Sequence, residues 1–183
     1  MEIWFRVAAD LPTTAYSSFV LNKTSLLILV TDTRPRGPAT EPALRELASV
    51  MKSASYGRHE DLATVIPKHY GHPGPLYFKN ASAGMYTDFG DIRAVAGEVT
   101  SLVGDNPLIL QINTLGGNVN RPELERASAF PHRSRPFLAE LQTYYDKPSQ
   151  GAARLRAFRQ VQATLRRNGV RHHYRNYPDL DLQ

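Results

Sequence analysis

The sequence predicts an α+β fold built on a single, largely antiparallel β-sheet, with about three helices gathered on one face. Three observations carry this. The 183 residues, 42% of them hydrophobic, suffice for one sizeable core, so a single domain over residues 1–183 is expected. Strand and helix patterns follow one another as two strands, helix, strand, helix, two strands, helix, strand. The helical segments are apolar on one flank only, so each has one side to bury.

Ile3, Phe5 and Val7 alternate with Trp4 and Arg6 and predict a first strand. Residues 24–31 are rich in β-branched and aliphatic side chains and predict a second, closed by the Pro/Gly-rich run Arg34-Pro35-Arg36-Gly37-Pro38. Pro42 suits a first helical turn, and Leu44, Leu47, Ala48 and Met51 recur at helical spacing up to about Ser53. Asp61 to Ile66 reads as a strand, and His69 to Pro75 as a loop. Ile92, Val95, Ala96, Val99, Leu102 and Val103 mark a second helix stopped by Gly104-Asp105-Asn106-Pro107. Leu108 to Ile112 and Phe137 to Tyr145 are strands. Ser149 is placed to cap a third helix that runs to about Asn168, with Gly169 as its left-handed terminator. Val170 to Tyr177 predicts a last strand.

No apolar run approaches the roughly 18 residues of a membrane span, and the start Met1-Glu2-Ile3-Trp4 shows no secretory pattern, so a soluble, cytoplasmic protein is expected. The chain has no cysteine, which excludes disulfides, thiolate catalysis and cysteinyl attachment of a cofactor. The net charge of +5 raises the question of nucleic acid. However, Arg156, Arg159 and Arg166 share one flank of the third helix opposite Leu155, Phe158, Val161 and Leu165, and no stacking platform or recognition-helix motif accompanies them. A solvated helix face, without nucleic acid, is the expectation. His172 and His173 would face opposite sides of a strand, and His69 and His72 have no matching carboxylate, so no metal site is expected.

Three segments, in order, carry a resemblance. They are Ile112-Asn113-Thr114-Leu115-Gly116-Gly117, Ala129-Phe130-Pro131-His132-Arg133, and Tyr174-Arg175-Asn176-Tyr177-Pro178-Asp179-Leu180-Asp181-Leu182. They are similar to the Asn-x-x-Gly-Gly strand end, the Phe-Pro-His-Arg turn and the Tyr-x-Asn-Tyr-x-Asp-x-Asp-Leu run of berberine bridge enzyme-like FAD-linked oxidases, and the intervals between them also fit. The resemblance is strong from Leu108 to Leu182. Before that it is general, with the segment carrying Trp4 and Phe5 resembling the opening of the family's substrate domain. It implies a substrate-binding domain like the C-terminal half of these oxidases, without the domain that holds the flavin. It also implies oxidation of an alcohol, sugar or specialised metabolite by hydride transfer to FAD in the complete enzyme. No FAD is expected on this chain alone.

Alternation along Phe137 to Asp146 sets Leu138, Glu140, Gln142 and Tyr144 on one sheet face and Phe137, Ala139, Leu141 and Thr143 on the other. The resemblance implies acid, amide or lysine side chains at a two-residue spacing after the Phe-Pro-His-Arg turn. Strict counting from Phe130 puts Ala139 and Leu141 there. Glu140 and Gln142 fit better, because a carboxylate turned towards the helices would lack compensation. Tyr177 resembles the family tyrosine that acts as or assists the base, with Tyr174 as the alternative owner of that role. A phenol titrating near pH 10 needs a cationic neighbour for such work, and Arg133 and Lys147 are the candidates. Asn113, Tyr174 and Tyr144 are the expected substrate contacts, and Asn176 and Tyr177 the expected cofactor contacts. His132 is expected to fix its loop.

The expected partners are a separate flavin-binding domain or chain, a small-molecule substrate and a second copy of the chain. A non-catalytic small-molecule binding module and a truncated gene product are the competing readings.

Overall fold

The computed structural model describes residues 1–34, 40–55, 57 and 76–182. In chain order these form α1 (Glu2–Ala9), β1 (Ala15–Asn22), β2 (Leu26–Asp32), α2 (Glu41–Ser49), β3 (Tyr77–Tyr86), α3 (Ala96–Asp105), β4 (Ile109–Thr114), β5 (Phe137–Tyr145) and α4 (Pro148–Arg167). The strands make one sheet in the order β2-β1-β4-β5-β3, and every pairing is antiparallel. Phe19, Leu110, Ile112, Phe137, Ala139 and Leu141 point from one face into a core shared with α1, α3 and α4, while α2 packs behind α1. The expected α+β fold, one antiparallel sheet with helices on one face, is the fold observed.

The segment expected as a first strand is a helix, α1. Trp4, Phe5, Val7 and Ala8 are buried while Ile3 stays exposed, a helical stripe that places neighbours 4 and 5 in the same core. A strand with one open face cannot bury two consecutive side chains on one side. The Trp4 indole meets Phe5, Phe19 and Phe137 at ring-centre distances of 5.1, 5.6 and 5.6 Å. Its Nε1–H donates to Ser17 Oγ at 2.9 Å, and Ser17 Oγ–H donates to the Leu29 carbonyl at 2.8 Å.

Two strands lacked a readable pattern. β1 carries Ser17 and Ser18 at its centre, and β3 is buried on both faces over its second half, so neither alternates clearly between apolar and polar. In β3 a bulge at Ser82–Gly84 shifts the register against β5, so that Ser82 faces Glu140 and Gly84 faces Ala139. The strand expected over Asp61–Ile66 and the loop over His69–Pro75, with His69 and His72, lie outside the described residues.

α4 matches the expected third helix, while α3, the expected second, starts only at Ala96, with Ile92 and Val95 in the turns before it, and runs through Gly104 and Asp105. Gly169 takes φ +86° at the end of α4, as a left-handed terminator should. The start differs: Lys147 is the N-cap and makes no side-chain cap bond, and Pro148, with φ preset for a first turn, opens the helix one residue before Ser149. Val170 to Tyr177 is not a strand. This tail touches the β3 edge through two bonds, Met85 N–H to the His172 carbonyl at 2.8 Å and Tyr174 N–H to Ser82 Oγ at 3.0 Å, then turns through a Tyr177 N–H bond to the Tyr174 carbonyl. The β3 bulge interrupts the regular alternation of donors that a further strand would need.

Candidate functional site

The sheet face turned away from the helices carries a polar field. The β-pairing aligns Ser18 with Asn113 and Leu138, Val20 with Gln111, Glu140 and Ser82, and Asn22 with Ile109, Gln142 and Asn80. Beyond these, Tyr144 faces Phe78. Ala139 and Leu141 are fully buried in the helix-side core, so Glu140 and Gln142 occupy the polar side.

Hydrogen bonds tie the field into two groups. Asn113 Oδ1 accepts from Ser18 Oγ at 2.6 Å and from Gln111 Nε2 at 3.0 Å. Asn80 Nδ2 donates to Glu140 Oε2 at 3.1 Å, while Asn80 Oδ1 is buried and accepts no bond from the described residues. Tyr144 Oη–H donates to Gln142 Oε1 at 3.0 Å, and the Tyr144 ring stacks on Phe78 with centres 6.2 Å apart. Phe78 is 66% exposed and Tyr144 41%, so this aromatic pair forms an accessible rim, whereas Glu140 is only 7% exposed.

The tail brings a second aromatic group to this field. Tyr174 and Tyr177 meet edge to face at 5.2 Å, Asn176 Nδ2 donates to Tyr174 Oη at 3.0 Å, and Phe130 and His132 pack against Tyr174 at 6.1 and 6.4 Å. His132 thus joins its own turn to the tail. Arg133 stacks over Phe130 and donates to Ser128 Oγ and the Val119 carbonyl.

The Tyr177 phenol is pushed above its usual range, first by burial, then by the negative charge of Glu140 and by Tyr174. Tyr144 is raised by burial and then by Glu140. Both phenols therefore stay protonated at neutral pH and offer hydrogen-bond donors. After burial, the charge that acts most on Tyr177 is the carboxylate of Glu140.

The structure therefore places Glu140, Gln142, Tyr144 and Asn113 on one face and gathers Tyr174, Asn176 and Tyr177 in the tail beside it. Sequence reasoning missed Asn80, Phe78, Gln111 and Ser18. The first two lie on the unread strand β3. Gln111 and Ser18 become visible only through the register of β1 and β4. Among the described residues no three His, Asp or Glu side chains gather as a metal site, and no helix is long and apolar enough to cross a membrane.

No family model matches the chain, and no curated protein matches it in sequence. Solved structures do match. The chain superposes over 99% of its length on the Physcomitrella patens protein BBE-like 1, with a TM-score of 0.75, 14% identity and 43% of that protein covered. The same share of the chain matches Phl p 4.0202, a glucose dehydrogenase, with a TM-score of 0.75, 19% identity and 40% of that chain covered. GilR, an oxidoreductase of gilvocarcin biosynthesis, is matched over all of this chain, with a TM-score of 0.75, 18% identity and 43% coverage. The fold is that of part of a berberine bridge enzyme-like protein. This chain spans about two-fifths of the length of the berberine bridge enzyme-like and related structures it matches.

The fold family implies a flavin dinucleotide, and the residues can be tested for fit. Gly117 takes φ +58° and opens a 3₁₀ turn of four residues, Gly117–Asn120, so this glycine pair does not lead into an α-helix whose N-terminus could hold a pyrophosphate. The polar field, with Asn80 Oδ1 unpartnered among the described residues and with its protonated phenols, fits the polar edge of a flat ring or of a small hydroxylated molecule.

Proposed function

We propose that this chain is the substrate-domain half of an FAD-dependent oxidoreductase, acting on an alcohol, sugar or specialised metabolite, and inactive without a flavin-binding domain or chain. The observation that carries the reading is the polar field centred on Glu140, bordered by Tyr177, in a fold shared with oxidoreductases. When bound, the flavin would accept the hydride.

The chain's own residues would hold and deprotonate the substrate. Glu140, oriented by Asn80 Nδ2, would take the proton from a substrate hydroxyl. The Tyr177 hydroxyl would donate a hydrogen bond to the same oxygen, and Gln142, already bonded to Tyr144, would orient the substrate. Asn113 and Tyr174 would bound the pocket, and Asn176 would act through Tyr174 on the cofactor side. The notion that Tyr177 serves as the base gives way to a donor role, because its phenol is raised and not lowered. Self-association through this face belongs to the same proposal.

The test is a pair of titrations of the purified chain. Added FAD, followed by flavin fluorescence, is expected to show no tight binding, and stoichiometric binding at micromolar concentration or below would overturn the half-enzyme reading. A panel of alcohols, phenols and sugars added to isotope-labelled chain is expected to shift the signals of Glu140, Gln142 and Tyr144. Shifts confined to other parts of the fold would overturn the assignment of the site. The mass in solution reports self-association.

A further inference from the structure

The polar field lies on one side of the sheet, yet the segment that brings Tyr174 and Tyr177 to it is held on the other. Lys79 and Asn80 are neighbours on β3 and point to opposite faces. Asn80 reaches Glu140, whereas Lys79 turns to the helix side, with its ammonium 5.2 Å from the ring centre of Phe158. There Lys79 Nζ bonds Asp179 Oδ1 at 2.5 Å and Asp181 Oδ2 at 3.1 Å. Gln162 Nε2 donates to Asp179 Oδ2 at 2.8 Å, Arg159 Nε to Asp181 Oδ2 at 2.9 Å, and Arg166 to the Asp181 carbonyl at 2.8 Å. The Asp179 side chain is 3% exposed and that of Lys79 17%. Burial alone would raise the Asp179 carboxyl, and the bonds from Lys79, the Asp181 amide and Gln162 bring it below its usual range instead.

We propose that Lys79 is a positioning residue of the site: by clamping Asp179 and Asp181 on the helix side of the sheet edge, it fixes the tail so that Tyr174 and Tyr177 stand beside Glu140 on the other side. The tail lacks a strand ladder, and its contacts with β3 include the packing of Val170 beside Gly84 and the bonds at Met85 and Ser82. A few such contacts near its start do little to offset the entropy of ordering the thirteen or so residues of the tail. A buried carboxylate whose cation is removed must find water, so the tail leaves its place when the clamp is broken.

The inference rests on the reading of Glu140 and Tyr177 as the working pair, but its test reads placement and not turnover. Isotope-labelled wild type, Lys79→Met and Lys79→Arg are compared. In Lys79→Met, contacts between the Tyr174 ring and the rings of Phe130 and Tyr177 should disappear from NOE spectra, and the Tyr174 amide should exchange at least tenfold faster. The Trp4 indole N–H, bonded in the core, should stay protected. Lys79→Arg, which keeps a cation, should restore the tail signals. Tail contacts and protection unchanged in Lys79→Met would overturn the proposal. Should Lys79→Met fail to fold, Asp181→Asn removes one half of the clamp at a more exposed position, and an unaltered tail there would overturn it equally. If no small molecule shifts the Glu140 region, the proposed function fails while these tail signals still decide the role of Lys79.

Discussion

Asn80 Nδ2 and Glu140 Oε2 meet at 3.1 Å across the β3–β5 pair, and the oxygen of the Asn80 amide is buried with no partner among the described residues. The bond orients the carboxylate, and the unused acceptor is of the kind that a substrate hydroxyl satisfies. The same carboxylate acts electrostatically on Tyr177 and Tyr144, so one residue couples the strand, the tail and the aromatic rim.

Glu140→Gln should therefore lower the pKa of both phenols. An anion nearby disfavours the phenolate, and the amide has the same shape without the charge. Burial, the largest cause of both shifts, remains, so the values should move towards the ordinary tyrosine range without reaching it. Tyrosine-labelled carbon NMR across an alkaline titration measures this, and unmoved midpoints would mean that Glu140 does not face the two rings.

Acid should weaken the fold already in the range where histidines titrate. His173 is lowered from its ordinary 6.5, first by burial, which outweighs its backbone hydrogen bonds at Ser82 and Val170, and its Nδ1 has no partner among the described residues. His132 is lowered as well, again first by burial. The unfolded chain takes up these protons near pH 6.5 and the folded chain only at lower pH. The stability that depends on neutral rings is thus complete above 6.5 and declines as pH falls through that window. Melting temperatures between pH of about 7.5 and 5.5 should decrease, and less so in His173→Gln. An equal decrease in that variant would place the sensitivity elsewhere.

Where one face was covered and the other polar, the sequence was readable. From Ala139 to Gln142 apolar and polar side chains alternate in the sequence, so the outward direction of Glu140 and Gln142 followed from period two although the strand's first five residues are all buried. Ile3, Phe5 and Val7 also alternate, but the apolar set that mattered was Trp4, Phe5, Val7 and Ala8, and nothing local distinguishes the two patterns over so short a segment. β3 was hidden by small residues, a bulge and burial on both sides, and Asn80 and Phe78 were hidden with it. The pairing of Lys79 with Asp179 spans 100 positions, and no local pattern reports such a contact. The motif around Tyr177 marked the tail as important, while its irregular path depends on the bulge it meets.

Ser17→Ala should destabilise the fold by about 1–3 kcal/mol, because it leaves the Trp4 indole N–H buried without its acceptor. Trp4→Ala should cost more, about 3–5 kcal/mol, since it removes the ring that meets Phe5, Phe19 and Phe137. Chemical denaturation compares the two. A Ser17→Ala midpoint equal to wild type would mean that the indole finds another acceptor.

Gly84→Ala should be the most damaging single-methyl change on β3, and it should act on the site through the bulge. Gly84 has φ +125°, a conformation that side chains of L-residues rarely adopt. A Cβ there would lie 2.7 Å from Val170 Cγ1 and 2.8 Å from the Tyr86 ring, and both neighbours are buried. The backbone strain alone is worth about 1–3 kcal/mol, and relieving the clash requires Val170, at the root of the tail, to move. The bulge also sets Ser82 opposite Glu140, where Ser82 Oγ receives the Tyr174 amide. Straightening it would shift Ser82 by one position and break that bond. The variant should therefore lose stability in chemical denaturation and, while still folded, lose exchange protection at the Tyr174 amide and alter the Tyr177 titration. Gly97→Ala, in α3 with open space around its Cβ, serves as the control and should be neutral or slightly stabilising. If Gly84→Ala loses stability while the Tyr174 and Tyr177 signals remain those of wild type, the bulge supports the core without governing where the tail lies.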